Sequence, residues 1–462
     1  MLVLVRLLPA EVYGQFGFLT ALLAFLTLYS FREFLAYTLV VREADQVHYQ
    51  DHFTAGAVLQ AAVCLVANVI AVALRQVPEY ATVAPVLHVM SVHFLLDLPS
   101  EFRVRMLERQ LDWRRLRLLH GIALVAAAGL SVALALAGTG VYALILPTLT
   151  VHLVFTWDLF VRERFRPTWS WQWPRFRPAW HFGVTRIAGG SASSAGTLIE
   201  ASWISAVGFA ALGVFGRAVG LGQLLCGRIA GLLAQAIFPV LARIPPRSDS
   251  YRQASALFLR GVVWLVVPLA IAGAWLAEII VALLYGPAWL AVAPLLPWAL
   301  LGASVLAAVQ AGYVLLLAHN GQRQCLVADV WRLVGTVAAL GVLAGVGLRE
   351  YLAGLAVVHA VSLGLILFWL ERARAVSRQG LVDAGWPALV AAGAGVTVAE
   401  VATRWLPGGA GTPDTLVPAV ALFGVTYGIV LRVLFRRQVH ELVRQLPEPA
   451  RLSRLLRLEG VT

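Results

Sequence analysis

Thirteen apolar runs, each close to the length of a membrane span, follow one another along this 462-residue chain. A helix needs roughly 20 residues to cross the hydrocarbon core of a bilayer. The composition agrees, because only 13% of the residues are charged, whereas soluble domains average about 25%. We therefore predict an all-α polytopic membrane protein. The predicted spans lie near residues 12–31, 53–74, 80–99, 118–138, 140–161, 181–206, 211–241, 257–284, 291–318, 326–347, 351–370, 384–404 and 415–434.

Arginine-rich segments alternate with short, nearly uncharged segments between these runs. The basic segments are residues 101–117, 162–180, 243–260 and 371–380, and the tail after residue 431. Because basic loops are retained in the cytoplasm, we expect these segments and the C-terminus to be cytoplasmic. The formal net charge of +12 comes largely from these segments between spans, so it is explained by membrane topology. Nucleic-acid binding is therefore not expected.

The loop pattern places the start of the first predicted span outside the cytoplasm. The opening residues, MLVLVRLLP, are typical of the end of a helix. We therefore expect fourteen spans, the first of them truncated in this sequence.

A short repeat opens the first and seventh spans: Tyr13–Gly17 reads YGQFG and Leu212–Gly216 reads LGVFG. Each is followed by a long apolar run, a charged segment and another apolar run. Transporters are often built from such repeats, with the substrate site between them. We predict an N-terminal helical lobe (1–165), a C-terminal helical lobe (181–375), a trailing pair of spans (384–434) and a basic amphipathic tail on the cytoplasmic membrane surface (435–462).

The seventh span carries two arginines, Arg217 and Arg228, inside an apolar run. At about 100° per residue, positions eleven apart return to nearly the same helix face. That face also carries small residues and Gln235. A buried arginine costs from about 3 to more than 10 kcal/mol unless it faces water or a partner, so we expect this stripe to line a water-filled cavity.

The sixth span repeats this pattern, since Arg186, Ser193 and Glu200 are separated by seven residues each and share a face with two glycines. The alternative is close helix packing through the small residues, with Arg186 extending to the cytoplasmic surface.

In the N-terminal half, polar side chains interrupt two apolar runs. Gln60 and Asn68 lie eight residues apart on one face, and His93 and Asp97 lie one turn apart near His88. His93 and Asp97 could form a proton- or cation-responsive pair. The alternative places Asp97 at an interfacial helix end beside a hydrogen-bonded histidine. Together with Glu200, this pair supplies the candidates for ion coupling.

No pattern typical of an enzyme occurs. We find no phosphate-binding loop, no dinucleotide-binding turn and no metal-ligand spacing, so neither a catalytic site, a cofactor nor a metal is expected. The tryptophan-rich segment Trp169–Pro174 is typical of a membrane interface.

Several motifs resemble those of the polysaccharide-repeat-unit (Wzx-type) flippases, within the multidrug/oligosaccharidyl-lipid/polysaccharide exporter superfamily. They are spread over most of the chain in the family's order. One departure concerns an acidic residue in the seventh helix of many members, for which the nearest acid here is Glu200 in another context. The matching segments are Arg6–Gly14 (RLLPAEVYG), Glu108–Arg115 (ERQLDWRR), Ala211–Ala218 (ALGVFGRA), Phe238–Arg243 (FPVLAR) and Leu283–Trp289 (LLYGPAW).

The resemblance implies a transporter of the bacterial inner membrane with two alternating lobes. Its cargo would be a polyprenyl-diphosphate-linked oligosaccharide for lipopolysaccharide or exopolysaccharide, with membrane lipids, glycosyltransferases and a polysaccharide polymerase as partners. Arg217 matches a family motif and is expected to contact the diphosphate, with Arg228, Arg186, Gln235 and Ser193 supporting it. Two alternatives remain: a cation-coupled multidrug exporter of the same fold, and a non-transporting scaffold of a sugar-assembly complex.

Overall fold

The computed structural model describes residues 2–40, 49–241, 243–246, 248–319, 321–343, 345–404 and 413–444. These ranges contain helices and turns and no β-strand. Within them, eleven helices are long and apolar enough to cross a membrane. The prediction of an all-α polytopic membrane protein is confirmed.

The chain divides into two compact units, Met1–Val214 and Phe215–Thr462. A 3₁₀ turn at Pro78–Tyr80 and a π-helical turn at Asp158–Arg162 adjoin helices of the first unit. The first-unit helices are α1 (Leu2–Leu7), α2 (Ala10–Leu28), α3 (Arg32–Leu35), α4 (Tyr37–Val40), α5 (Tyr49–Arg75), α6 (Ala84–Arg109), α7 (Trp113–Leu136), α8 (Tyr142–Trp157) and α9 (Trp173–Val207).

The unit boundary falls inside α10 (Phe209–Gly222). A π-helical segment, Gln223–Gly227, follows α10, and a 3₁₀ segment, Pro287–Val292, precedes α14. The remaining helices are α11 (Arg228–Leu241), α12 (Asp249–Trp275), α13 (Ala277–Leu284), α14 (Leu296–Ala318), α15 (Gln322–Leu343), α16 (Leu348–Arg372), α17 (Arg378–Thr403), α18 (Pro413–Leu434) and α19 (Arg436–Val443). The division into two lobes, a helix pair and a tail stays a prediction.

A helix lies at each of the thirteen predicted spans, although several helix ends differ from the prediction. At two of these spans the helix, α6 or α9, is not among the eleven that are long and apolar enough to cross a membrane. The basic segment 101–117 is mostly helical, because α6 runs to Arg109 and α7 begins at Trp113. Asp112 caps α7 by accepting a hydrogen bond from the Arg115 amide (3.0 Å), which satisfies one of the free donors at the helix start.

An aromatic core holds the four-residue helix α3 in place in the first unit. Phe31 and Phe34, which flank Arg32, pack with Phe102 of α6 and Phe176 of α9, and all four are at most 2% exposed. Burying large aromatic side chains is the main source of such packing energy. The backbone of Arg32 is therefore fixed close to α6.

The predicted amphipathic tail begins as α19. Its residues Val439 and Leu442 pack with Trp264 and Leu431 of the second unit. The other apolar positions of the predicted tail, including Leu446 and Leu452, lie outside the described residues.

Candidate functional site

A buried polar network surrounds Asp97 in the first unit. The Arg32 guanidinium donates to Asp97 Oδ1 (3.2 Å) and to Glu101 Oε1 (2.5 Å). The Gln60 amide of α5 donates to the other Asp97 oxygen (3.2 Å). Asp97 is fully buried, and a buried charge is stable only when it is paired and hydrogen-bonded. Both of its oxygens meet this condition.

Two imidazoles face this carboxylate. His93 lies one turn before Asp97 on α6, and His152 comes from α8, with ring centroids 4.4 Å apart and planes at 89°. His152 Nδ1 lies 3.7 Å from Asp97 Oδ1. Within the part of the chain that the structure describes, neither Nδ1 has a hydrogen-bond partner. Ligand atoms of the three side chains lie within 4.8 Å of one another, close enough for a bound cation.

Acidic side chains outnumber basic ones in the ion pairs around Asp97. Among the described residues, these pairs join Asp97, Glu101 and Glu108 to Arg32 and Arg105. An excess of negative charge favours the uptake of a proton or another cation, most of all at Asp97, which is fully buried.

A second set of hydrogen bonds continues between α5 and α6. The Asn68 amide nitrogen donates to Ser91 Oγ (2.9 Å), and its oxygen contacts His88 Nδ1 (2.7 Å). The prediction that Gln60 and Asn68 share a polar face is therefore confirmed, since each bonds to a polar side chain of α6.

Sequence reasoning found His93 and Asp97 but missed His152, Arg32 and Glu101. Arg32 lies 65 residues and His152 lies 55 residues from Asp97, so no local spacing connects them. The available signal was that Arg32 lies at the edge of an apolar run and His152 lies within one. Glu200, the third candidate for ion coupling, is half-buried on α9.

Arg186 pairs with Glu33 of the α3 helix, with Nε 2.5 Å from Oε2, and its guanidinium lies 5.9 Å from the Phe182 ring centroid. The arginine side chain is 53% exposed, and Ser193 is also exposed. The small residues of α9 are used partly for packing, since a β-carbon on Gly190 would lie 2.9 Å from Leu28. The packing interpretation therefore applies at Gly190, whereas the cavity interpretation for Arg186 and Ser193 stays a prediction.

Arg217 and Arg228 do not share a face as simple α-helical spacing predicts. The π-helical segment Gln223–Gly227 lies between them, and its wider turn displaces the following residues by about a quarter turn. Arg217 is half-buried and interacts electrostatically with Tyr285. Arg228 is exposed, as is Gln235 two turns later.

Two small residues near Arg228 are not used for packing, whereas Gly227 is covered by the Gln223 side chain. A β-carbon built on Gly220 or on Gly231 would meet no atom within 4 Å. This open stripe of α10 and α11, comprising Gly220, Arg228, Gly231 and Gln235, therefore leaves room for a ligand beside a permanent positive charge.

Two solved structures have a fold similar to that of this chain. The chain resembles the solved structure of "Lipid II flippase MurJ, inward closed conformation", with a TM-score of 0.74, 11% sequence identity, and coverage of 95% of this chain and 96% of that chain. It also resembles an inward-facing multidrug resistance MATE family transporter of the MOP superfamily, with a TM-score of 0.60, 14% identity, and coverage of 81% and 94%. At these identities the likeness shows the fold. No curated protein sequence matches the chain.

A family model described as "Polysaccharide biosynthesis protein" matches residues 3–294, well over half of the chain. The match confirms the resemblance seen in the sequence motifs. The two structural neighbours are named as a flippase and a transporter. The chain belongs to the polysaccharide biosynthesis protein family.

Proposed function

We propose that the protein flips polyprenyl-diphosphate-linked oligosaccharide units across the bacterial inner membrane, by alternating access, for surface polysaccharide biosynthesis. Family membership supports the pathway, and the fold shared with a lipid II flippase supports a lipid-linked cargo. Glycosyltransferases would supply the lipid-linked unit, and a polymerase would consume it.

The open stripe beside Arg228 is the observation that carries this proposal. An arginine facing hydrocarbon costs from about 3 to more than 10 kcal/mol, so an exposed arginine within the span is expected to face water or an anionic ligand. A diphosphate matches this requirement, because the guanidinium donates in a planar, bidentate geometry and stays charged.

The other predicted residues receive roles consistent with their positions. Arg217 is a further contact for the diphosphate, and the exposed Gln235 and Ser193 are suited to sugar hydroxyls. To bind the cargo, Arg186 would have to break its ion pair with Glu33 of α3. Cargo binding would then be linked to the position of α3.

The network around Asp97 is our candidate for the coupling ion. One cation bound near Asp97, His93 and His152 would offset its excess of negative charge, and Arg32 would then have to divide its hydrogen bonds differently between Asp97 and Glu101. Glu200 remains a candidate as well. Ion uptake at this site would supply energy for conformational change.

Reconstitution into proteoliposomes tests the function. The probe is a fluorescent polyprenyl-diphosphate-linked disaccharide, and the readout is its loss of accessibility to a membrane-impermeant quencher. We expect Arg228→Ala to lower the initial rate about tenfold or more, since charge-assisted hydrogen bonds contribute about 1.5–3 kcal/mol, and Arg228→Lys to retain part of it. The matched control is Arg378→Ala, because Arg378 is an 85% exposed arginine paired with Glu371 outside the stripe.

The outcomes separate the alternatives. Unchanged flipping by Arg228→Ala would overturn the role of the stripe. Ethidium export without lipid flipping would favour the multidrug exporter, which the likeness to a MATE transporter suggests. Absence of both activities in the wild-type protein would favour a scaffold.

A further inference from the structure

An apolar groove of about 460 Å³ lies on the first unit, between α5 and the start of α9. Its lining includes Val58 and Leu59 of α5, and the aromatic residues Trp169, Trp171, Phe176 and Trp180. Ligand pockets typically measure about 300–1,000 Å³. We call this feature the tryptophan groove.

The loop that carries Trp169 and Trp171 is fixed to the start of α5. The Thr168 amide donates to Gln50 Oε1 (2.8 Å), and the Ser170 amide donates to Thr54 Oγ1 (3.1 Å). The Ser170 hydroxyl donates to the buried Asp51 carboxylate (2.5 Å). These bonds occupy the polar groups next to the groove, so its interior is left to the aromatic side chains.

The aromatic side chains support one another and still remain open to the outside. The Trp171 ring lies 5.6 Å from Phe176, and Trp173 lies 6.1 Å from Trp180. Trp169 is nevertheless 78% exposed and Trp171 is 49% exposed. A fixed, exposed aromatic wall of this kind favours an apolar ligand, because ring surface left in water is costly.

The groove continues onto an exposed, apolar face of α5, which is long and apolar enough to cross a membrane. Beyond Val58, the exposed residues Leu65, Val66 and Val69 make this face of the helix apolar along its length. A hydrocarbon chain in the groove would therefore extend directly into the bilayer.

Five exposed arginines lie between residues 162 and 177, in the segment that carries Trp169 and Trp171 and near the start of α9. Arg175 is placed beside the start of α5 by an ion pair of 3.8 Å with the buried Asp51. Guanidinium groups beside an apolar groove match an anionic headgroup with a hydrocarbon tail. These arginines are Arg162, Arg164, Arg166, Arg175 and Arg177.

We propose that the tryptophan groove holds the polyprenyl chain of the lipid-linked substrate, with its diphosphate at the adjacent arginines, before the cargo enters the transport path. The inference rests on the proposed function and adds a docking site to it. Branched isoprene units offer methyl groups to the aromatic faces, and the diphosphate offers more charge to the arginines than a single phosphate does.

Native mass spectrometry of the detergent-purified protein with undecaprenyl diphosphate tests the groove. Trp171→Ala/Trp180→Ala should weaken binding about tenfold or more, from the apolar area lost. Val58→Trp, which fills the groove, should have the same effect without removing an aromatic residue. The matched control is Trp386→Ala, at a 60% exposed tryptophan of α17 in the second unit. Inorganic diphosphate should bind the double variant as it binds wild type.

Three results would overturn the inference. If wild type does not bind undecaprenyl diphosphate, the proposed function and the groove assignment both fail. If wild type binds it and both groove variants bind equally well, only the groove assignment fails. If dioleoylphosphatidylglycerol competes with equal affinity, the groove is a site for bulk membrane lipid.

Discussion

Gly14 of α2 and Gly213 of α10 face each other where the two helix backbones cross in direct contact. A β-carbon on Gly14 would lie 1.7 Å from the carbonyl oxygen of Phe209, and one on Gly213 would lie 1.9 Å from that of Ala10. In the sequence repeat, Gly14 corresponds to Gly213 and Ala10 to Phe209. The contact is therefore reciprocal: each repeat places the same glycine against the same position of the other.

We expect Gly14→Ala and Gly213→Ala each to destabilise the protein by about 1–3 kcal/mol, since an added methyl group must push backbone apart. Thermal unfolding in detergent measures the effect. Gly17→Ala and Gly216→Ala are matched controls in the same repeat, because the nearest atom to an added β-carbon is 3.8 Å away at Gly17 and none lies within 4 Å at Gly216. Equal melting temperatures for all four variants would contradict the close crossing.

Arg32→Ala should be far more damaging than removal of an exposed arginine. It leaves the buried Asp97 and the partly buried Glu101 without this counter-charge. Because the Arg32 side chain is itself 37% exposed, we expect a loss below the figure of about 3–5 kcal/mol for breaking a fully buried pair. The control, Arg252→Ala, removes an exposed ion pair with Asp249 and should cost about 1 kcal/mol or less. Arg32→Ala/Asp97→Ala should recover part of the loss, and chemical denaturation would detect it. A double variant less stable than Arg32→Ala would show that Asp97 is not destabilised by the missing arginine.

Asp97→Asn should make lipid flipping insensitive to an ion gradient. The amide keeps the shape of the side chain but removes one negative charge, so the excess of negative charge in these ion pairs is reduced. We expect an imposed proton or sodium gradient to accelerate lipid flipping by wild type and to have no effect on this variant. Asp249→Asn, at an 81% exposed side chain, serves as control. Retention of the gradient effect by Asp97→Asn would exclude Asp97 as the coupling site.

The positions of the spans could be predicted because apolar length is a local property of the sequence. The π-helical segment at Gln223–Gly227 could not, since one extra residue in a helical turn leaves no mark in the local apolar pattern. This segment changes the face on which Arg228 lies. Only part of the site around Asp97 could be predicted from the sequence. His93 follows from helical spacing, whereas His152 reaches Asp97 only through the packing of α8 on α6. Likewise, Arg186 pairs with Glu33, 153 residues away, and not with a residue of its own helix.

Asp158 joins two arginines at the end of α8 and should be essential for stability. It is fully buried, accepts from Arg103 Nε (2.7 Å), and pairs with Arg115. Asp158→Ala would leave the buried Arg103 with Glu163 alone (2.7 Å), at a cost of about 3–5 kcal/mol. The yield of folded protein and its melting temperature should both fall, whereas Asp249→Ala should change neither. A stable Asp158→Ala variant would indicate that water reaches Arg103.

Arg260 of α12 holds α19 against the second unit, and its removal should release that helix. The Arg260 side chain is 4% exposed. Its guanidinium donates to the Gln438 carbonyl (3.1 Å) and to Glu441 Oε2 (3.0 Å). Val439 and Leu442 pack beside it, but a helix of eight residues is unstable in water without such contacts. Hydrogen exchange should therefore accelerate at residues 436–443 in Arg260→Ala. Arg437→Ala is the control, because Arg437 meets the same Glu441 from an 81% exposed position. Identical exchange in the two variants would show that the apolar contacts alone hold α19.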